Sequence, residues 1–247
     1  MMQNLKGSVA VVTGASAGIG KTIAVKLAEN GVKVVLGARN TVLLEKVVEE
    51  IKSNGGEAIF VKTDVSNKTD LVQLVNLAVT RYGKLDAIVN NAGVARLSRI
   101  DELDTDGWDE MIDSNIKGTL YGMAAAIPVF KKQQSGHIIN IISTSGIKIV
   151  PNQGVYAGTK NAVRTIAEAF RQESDGSIRI TGISPGFIKT DFAVKSVNTD
   201  DMKTVASKAV DALAISPEAI ANAVIYAISQ PYDVEIGDIV VRPSKQN

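Results

Sequence analysis

The fold is decided by one stretch near the start of the chain, Val9-Ala10-Val11-Val12-Thr13-Gly14-Ala15-Ser16-Ala17-Gly18-Ile19-Gly20. The apolar run 9–12 predicts a buried strand, and residues 21–30 predict the body of a helix. The glycine-rich turn between them would place backbone N–H groups beside the positive end of a helix, which suits a pyrophosphate. The glycine spacing is G-x-x-x-G-x-G rather than G-x-G-x-x-G, so a tight turn without a ligand is the alternative.

Short apolar runs alternate with helical patterns along the whole chain. The runs that predict strands are 9–12, 32–36, 58–61, 87–89, 138–142, 179–183 and 238–241. Apolar residues at helical spacing predict helices at 41–53 and around 71–79. No linker or change of composition divides residues 1–247. The sequence therefore predicts a single-domain α/β fold with a doubly wound, mostly parallel seven-stranded sheet and helices on both faces.

Composition and charge exclude several classes of function. Of the 247 residues 45% are apolar, and 27 basic side chains balance 26 acidic ones, so neither nucleic acid nor a membrane is an expected partner. The absence of cysteine excludes disulfides and thiolate chemistry. The single histidine, His137, is expected at a strand edge, and no metal site is expected. Without a secretory stretch or an apolar run of bilayer length, the expected location is the cytoplasm.

The segment 192–215 interrupts the alternation of strands and helices. It is polar, contains Asn198-Thr199-Asp200-Asp201, and follows a Pro-Gly turn. Long excursions at the carboxyl edge of a parallel sheet often cover a substrate. We therefore expect a substrate lid at about 192–215, and a pair of solvated surface helices is the alternative.

The end of the second predicted strand indicates which dinucleotide would bind. Sites for NAD place a carboxylate there to hold the ribose 2′-hydroxyl. Here the strand ends Leu36-Gly37-Ala38-Arg39-Asn40, without a carboxylate and with an arginine beside the expected position. Since a guanidinium can bind a 2′-phosphate through bidentate, charge-assisted hydrogen bonds, Arg39 favours NADP(H). A solvent-facing arginine at the start of a loop is the alternative.

Tyr156 and Lys160 stand four residues apart in a predicted helix, so their side chains share one face. An ammonium close to a phenol lowers the pKa of the phenol from its usual value near 10. A more acidic phenol can exchange a proton with a substrate oxygen near neutral pH. Together with Ser143 upstream and the glycine turn, this pair suggests hydride transfer.

These residues are part of a longer set of ordered motifs, through which nearly the whole chain resembles the classical short-chain dehydrogenase/reductase family. The motifs are Thr13-Gly14-x-x-x-Gly18-x-Gly20, Asp64, Asn90-Asn91-Ala92-Gly93, Asn115, Ser143, Tyr156-x-x-x-Lys160 and Pro185-Gly186-x-x-x-Thr190. Each motif is weak alone, but their shared order is highly specific. The resemblance implies a Rossmann fold and an oxidoreductase that transfers a hydride between NADP(H) and a carbonyl–alcohol pair.

The resemblance also assigns roles to particular residues. Those expected to bind the cofactor are Gly14, Ser16, Ala17, Gly18, Ile19, Gly20, Arg39, Asn40, Asp64, Val65, Asn91, Ala92, Gly93, Tyr156, Lys160, Pro185, Gly186, Ile188 and Thr190. Tyr156 would be the general acid in reduction and the base in oxidation, and Ser143 would hydrogen-bond the substrate oxygen. Lys160 would bind the nicotinamide ribose and lower the pKa of Tyr156. Asn115 would hold a water that links Lys160 to solvent.

The resemblance narrows the expected substrate without naming it. The last strand reads Gly237-Asp238-Ile239-Val240-Val241-Arg242-Pro243, where many family members carry a Val-Asp-Gly-Gly-like segment. This ending resembles a subgroup that acts on small hydroxy acids, serine-like amino alcohols, and various aldehydes or ketones. The expected substrate is therefore a small aldehyde, ketone or keto acid, or the corresponding alcohol. A non-catalytic NADP(H)-binding sensor or scaffold is the alternative.

The resemblance further implies a homo-oligomer, either a dimer or a tetramer. In the family, helices corresponding to about 104–132 and 156–173 pack across a two-fold axis. Residues that could supply apolar surface there, or could face the sheet instead, are Met111, Ile116, Leu120, Met123 and 124–126.

Overall fold

The seven strands of the described sheet all run in the same direction. The computed structural model describes residues 4–197 and 199–246, so residues 1–3, Asn198 of the predicted lid, and Asn247 lie outside it. The strands are β1 (Val9–Thr13), β2 (Lys33–Ala38), β3 (Ala58–Lys62), β4 (Ala87–Asn90), β5 (Gly136–Ile141), β6 (Ile178–Pro185) and β7 (Asp238–Val241). Their order is β3-β2-β1-β4-β5-β6-β7, and every neighbouring pair is parallel. The predicted doubly wound sheet is confirmed, and it is wholly rather than mostly parallel.

Helices connect the strands and cover both faces of the sheet. The described helices are α1 (Gly18–Glu29), α2 (Thr41–Ser53), α3 (Lys68–Tyr82), α4 (Thr105–Met111), α5 (Gly118–Gln133), α6 (Gly154–Glu173), α7 (Phe192–Lys195), α8 (Asp200–Leu213) and α9 (Glu218–Ile228). A π-helical turn, Ile112–Lys117, joins α4 to α5, and short 3₁₀ turns lie at Ile100–Glu102 and Thr144–Gly146. None of the helices in the described part of the chain is long and apolar enough to cross a bilayer.

The alternating side chains of β1 fill two separate cores. Ala10 and Val12 belong to the apolar cluster beneath α1, α2 and α9. Val9 and Val11 belong to the cluster on the opposite face, beneath α3 and α5. A strand that is apolar on both faces is what a sheet covered on both sides requires. The edge strands β3 and β7 are less buried, and Val240 of β7 is 45% exposed.

His137 lies inside a strand rather than at its edge, which corrects the prediction. It is the second residue of β5, because that strand begins at Gly136, and it is buried. Its Nε2 lies 2.8 Å from the Thr181 Oγ1 on β6. Burial lowers the pKa of His137 to about 3, so the imidazole is neutral at physiological pH.

The apolar residues of the α4–α5 region divide between core and surface. Met111, Met123 and Ala126 are buried against the fold. Ile116 is half-buried, and Leu120 and Ala124 are exposed. These last three residues are spaced four apart and so form one outward stripe on the helix.

Two adjacent leucines of α2 differ in burial, so substituting each of them tests how α2 packs on the core. Leu44 is fully buried, whereas Leu43 is 37% exposed. Leu44→Ala is expected to lower the free energy of unfolding by about 2–5 kcal/mol, because it removes buried methyl groups and leaves a cavity. Leu43→Ala is the matched control and should cost less than about 1 kcal/mol. Urea denaturation measures both, and equal losses would contradict the assigned packing of α2.

Candidate functional site

A cleft of about 1090 Å³ opens where the carboxyl ends of β1, β4, β5 and β6 meet. This edge, between β1 and β4, is the point where the strand order reverses, and ligands of open α/β sheets bind there. The predicted site residues that line it are Gly14, Ala17, Gly18, Ile19, Gly20, Asn91, Ala92, Gly93, Ser143, Tyr156, Lys160, Pro185, Gly186, Ile188 and Thr190. Ser16, Arg39, Asn40, Asp64, Val65 and Asn115 are not among the described residues that line it.

The glycine turn after β1 has a backbone that side chains would disrupt. Gly14 and Gly18 have φ angles of +63° and +55°, in the left-handed region that favours glycine. A Cβ atom on Gly20 would collide with the carbonyl oxygen of Gly14 and with the side-chain amide of Asn91. The turn therefore packs closely against the loop after β4 and leaves its own backbone open toward the cleft.

Helix α1 begins at this turn without a capping side chain. Its first turn contains no acidic residue, and Ala17 at the N-cap supplies no side-chain acceptor in the described structure. By contrast, α2 and α3 are capped by Asn40 and Asn67, whose Oδ1 atoms accept from backbone N–H groups at 3.0 and 2.9 Å. The open N–H groups and the positive end of α1 fit the pyrophosphate of a dinucleotide.

One threonine hydroxyl joins the glycine turn to the loop after β4. Thr13 Oγ1 accepts from the N–H groups of Asn91 and Ala92 at 3.0 and 3.1 Å. The Asn91 Nδ2 donates to the carbonyl oxygens of Thr13 and Gly14 at 2.9 and 3.3 Å. The side chain of Asn91 thus supports the glycine turn. The rest of the loop after β4, including Ala92 and Gly93, lines the cleft.

The residues predicted to hold the adenosine end lie beyond the cleft, after β2 and β3. Arg39 is exposed at the end of β2 and forms no ion pair within the part of the chain that the structure describes. The side chain of Asn40 is used to cap α2, and Val65 is buried. Hydrogen bonds from Ser66 lower the pKa of Asp64, with smaller contributions from the charges of Arg39 and Lys62. Arg39 is therefore a cation that this end of the site presents to solvent, with Lys62 nearby.

Ser143, Tyr156 and Lys160 come together at the floor of the cleft. Ser143 lies just after β5, and its hydroxyl lies near enough to the phenol of Tyr156 to lower the pKa of that phenol. Lys160 follows one turn later on α6, with its Nζ 5.9 Å from the centre of the Tyr156 ring. The buried ammonium donates to the carbonyl oxygen of Ile141 at 3.0 Å. The predicted shared face of α6 thus brings an ammonium close to a phenol.

The pKa of Tyr156 is raised rather than lowered, contrary to the expectation from the Tyr–Lys spacing. Burial raises it to about 12, and the nearby Ser143 hydroxyl opposes that change only in part. Burial also lowers the pKa of Lys160 to about 8. The protein alone therefore keeps the phenol protonated, because removal from water disfavours the phenolate.

Asn115 lies next to these residues and forms hydrogen bonds that hold the neighbouring backbone in place. It lies in the π-helical turn, and its side chain accepts from Val94 N–H and donates to Val94 O, both at 2.9 Å. Its Nδ2 also lies 3.0 Å from Thr159 Oγ1. A Cβ atom on Gly93 would lie 2.9 Å from Asn115 Oδ1 and 3.3 Å from Lys160 Nζ. Asn115 and Lys160 therefore flank the same glycine of the cleft wall.

Several apolar residues of the cleft belong to no motif and were not predicted individually. They are Ala95, Leu97, Ile147, Val150, Phe187, Phe192, Val197, Met202, Val205, Ala206 and Ala209. More than half of them come from the predicted lid segment, whose position after a Pro-Gly turn was the available signal. Leu97 N–H donates to Ser196 O at 2.9 Å, which ties this segment to the loop after β4. Gln246 also lines the cleft, and no local sequence pattern predicted its position there.

Comparison with known proteins identifies the family. The protein-family model described as short chain dehydrogenase matches residues 8–201 of this chain. The chain therefore belongs to the short-chain dehydrogenase family and is an oxidoreductase of that family. An uncharacterized oxidoreductase of Listeria monocytogenes is 45% identical over 245 residues, which is 98% of each chain.

Solved structures agree with this assignment. A serine dehydrogenase, solved in a closed form complexed with NADP⁺, has 30% identity and a TM-score of 0.88 over 97% of this chain and 96% of that one. A short-chain dehydrogenase/reductase of Burkholderia phymatum in complex with NAD has 26% identity and a TM-score of 0.88, covering 97% and 90% of the two chains. Both neighbours hold a nicotinamide dinucleotide, which supports a cofactor of that class here.

The glycine turn can be tested through cofactor binding. Gly20→Ala is expected to weaken the binding of NADPH and of NADH by about 10-fold or more, because the new methyl group displaces the Gly14 carbonyl and Asn91. Gly237→Ala is the control, since a Cβ atom there meets nothing within 4 Å. Titration of cofactor fluorescence measures both variants. Unchanged affinity in Gly20→Ala would show that the turn does not contact the cofactor.

Proposed function

We propose that the protein is an NADP(H)-dependent oxidoreductase that interconverts a small carbonyl compound and its alcohol. The observation that carries this proposal is the single cleft that holds Ser143, Tyr156 and Lys160 at its floor and the glycine turn with the open end of α1 at its side. A bound nicotinamide cofactor supplies or accepts the hydride, and the protein supplies position and proton transfer.

Tyr156 is the proton donor in carbonyl reduction. Its phenol holds its proton through the physiological range and lies near the Ser143 hydroxyl, so a carbonyl oxygen placed between them meets two O–H donors. As negative charge develops on that oxygen, Tyr156 transfers its proton and Ser143 stabilises the remaining charge. In alcohol oxidation the proton moves the other way, from the substrate hydroxyl to the phenolate.

Lys160 and Asn115 support the proton transfer. The ammonium of Lys160, 5.9 Å from the centre of the Tyr156 ring, opposes the cost of a phenolate in a buried site. We propose that the same group binds the nicotinamide ribose. Asn115, held against the same glycine as Lys160, is proposed to keep the water that returns protons from solvent to the lysine.

The apolar lining supports an aldehyde or ketone with an apolar substituent. Ile147 and Val150 come from the segment after β5, and Phe192 and Val205 come from the lid segment. The rings of Phe192 and Tyr156 lie 6.0 Å apart, so an apolar group bound beside the phenol would contact Phe192. We propose that residues 192–215 act as the lid over this substrate.

The exposed stripe on the α4–α5 region supports a homo-oligomer. Leu120 and Ala124 are exposed and Ile116 is half-buried, and a second copy packed across a two-fold axis would cover them. We propose a dimer or tetramer built on this contact.

Tyr156→Phe tests the proposed reaction. It should lower kcat for carbonyl reduction by about 100- to 10,000-fold, because only the proton donor is removed. The dissociation constant of NADPH should stay nearly constant. Tyr226→Phe, an exposed tyrosine of α9, is the matched control and should behave like the unaltered enzyme. The assay measures turnover of a panel of aldehydes, ketones and keto acids. If Tyr156→Phe retains this turnover, Tyr156 is not the proton donor.

Arg39→Ala tests the preference for NADP(H). The loss of charge-assisted hydrogen bonds to a 2′-phosphate should raise KM for NADPH by about 10- to 100-fold and leave KM for NADH nearly unchanged. Arg81→Ala, another exposed arginine, is the control. Adding Ala38→Asp should move the preference further toward NADH. A cofactor ratio that does not move would place the 2′-phosphate elsewhere.

A further inference from the structure

The last described residue of the chain returns to the cleft. Gln246 follows β7 through a turn in which its N–H donates to Pro243 O at 3.0 Å. Its side-chain Nε2 donates to Thr144 Oγ1 at 3.3 Å, and its Oε1 accepts from Phe187 N–H at 2.9 Å. The side-chain amide of Gln246 thus connects the loops that follow the adjacent strands β5 and β6. Thr144 lies 102 residues before Gln246 in the chain, and Phe187 lies 59 residues before it.

The two loops joined by this amide both line the cleft of the proposed reaction centre. Thr144 follows directly on Ser143, whose hydroxyl lies near the phenol of Tyr156 in the cleft. Phe187 lies between Gly186 and Ile188, in the loop after β6 that lines the same cleft. Since these loops leave β5 and β6 side by side, their separation determines how far the substrate oxygen lies from the cofactor side of the cleft.

The loop after β6 is shaped to receive the C-terminal segment. Gly186 N–H donates to Val241 O at 2.8 Å, which extends the β6–β7 pairing. A Cβ atom on Gly186 would lie 2.7 Å from Arg242 Cβ and would collide with Gln246 Oε1. Gly186 therefore lets the C-terminal segment pack directly on the loop backbone, and that contact places the Gln246 amide.

We propose that Gln246 is a positioning residue for hydride transfer, whose amide sets the separation between Ser143 and the loop 186–188. The inference rests on the proposed function. Ser143 Oγ accepts from Ser145 N–H at 3.1 Å, so the 3₁₀ turn that contains Thr144 moves together with the Ser143 hydroxyl. Gln246 acts on both loops at once, while its own side chain takes no part in proton or hydride transfer.

Gln246→Ala and Thr144→Val are the variants that test this role, singly and together. Each should lower kcat, expressed per NADPH-binding site, by about 10- to 100-fold, because small displacements of reacting groups strongly slow a positioned reaction. The change in KM for the carbonyl substrate should be much smaller. The double variant should be no slower than the worse single variant, because both changes break the same hydrogen bond.

Lys245→Ala, an exposed neighbour, is the matched control and should keep full activity. Normalising kcat to bound NADPH separates positioning from loss of folded protein, since misfolded molecules do not bind the cofactor. The melting temperature should change by less than about 4 °C. A normalised kcat that equals that of the unaltered enzyme, or losses that simply multiply in the double variant, would overturn the inference.

The same experiment separates this inference from the proposed function. An unaltered enzyme that reduces carbonyl compounds while Gln246→Ala matches it refutes only the positioning role. If Tyr156→Phe, assayed beside them, turns over as fast as the unaltered enzyme, the proposed reaction itself fails, and the role of Gln246 fails with it.

Discussion

A single direction shared by all the described strands underlies the rest of the structure. Because neighbouring strands are parallel, their carboxyl ends lie along one edge of the sheet, and every loop that leaves this edge can reach the same cleft. The glycine turn after β1, the Asn91 loop after β4, Ser143 after β5 and Gly186 after β6 meet there for this reason. Thr13 then fixes the first two loops to each other through its hydroxyl.

Burial gives the site its electrostatic character. Withdrawal from water raises the pKa of Tyr156 from 10.0 to about 12 and lowers that of Lys160 from 10.5 to about 8, so the two values move apart. In both groups burial favours the neutral form over the charged one. The same burial explains why Lys160 takes the Ile141 carbonyl as a partner, since an ammonium removed from water needs an acceptor.

Local patterns predicted the sheet, and the ordered motifs of a known family supplied most of the candidate site residues. Features that depend on long-range contacts were not predicted. The continuous apolar run of β1 and the four-residue spacing of Tyr156 and Lys160 are visible in the sequence, because each depends on one element alone. The raised pKa of Tyr156 was missed because burial depends on the whole fold. Gln246 was missed for a related reason: its partner Thr144 is 102 residues away, and a glutamine near a chain end has no distinctive spacing.

The π-helical turn at Ile112–Lys117 was equally invisible in the sequence, and it has a consequence for related chains of different length. A π turn accommodates one residue more than an α turn over the same stretch of helix. A chain that lost one residue there would regain regular α-helical hydrogen bonds, and α4 and α5 would keep their relative orientation because only the extra residue is removed. The side chains inside the turn would be redirected, and Asn115 is one of them, so an apparently harmless shortening would break its contacts with Val94 and Gly93 while improving the helix.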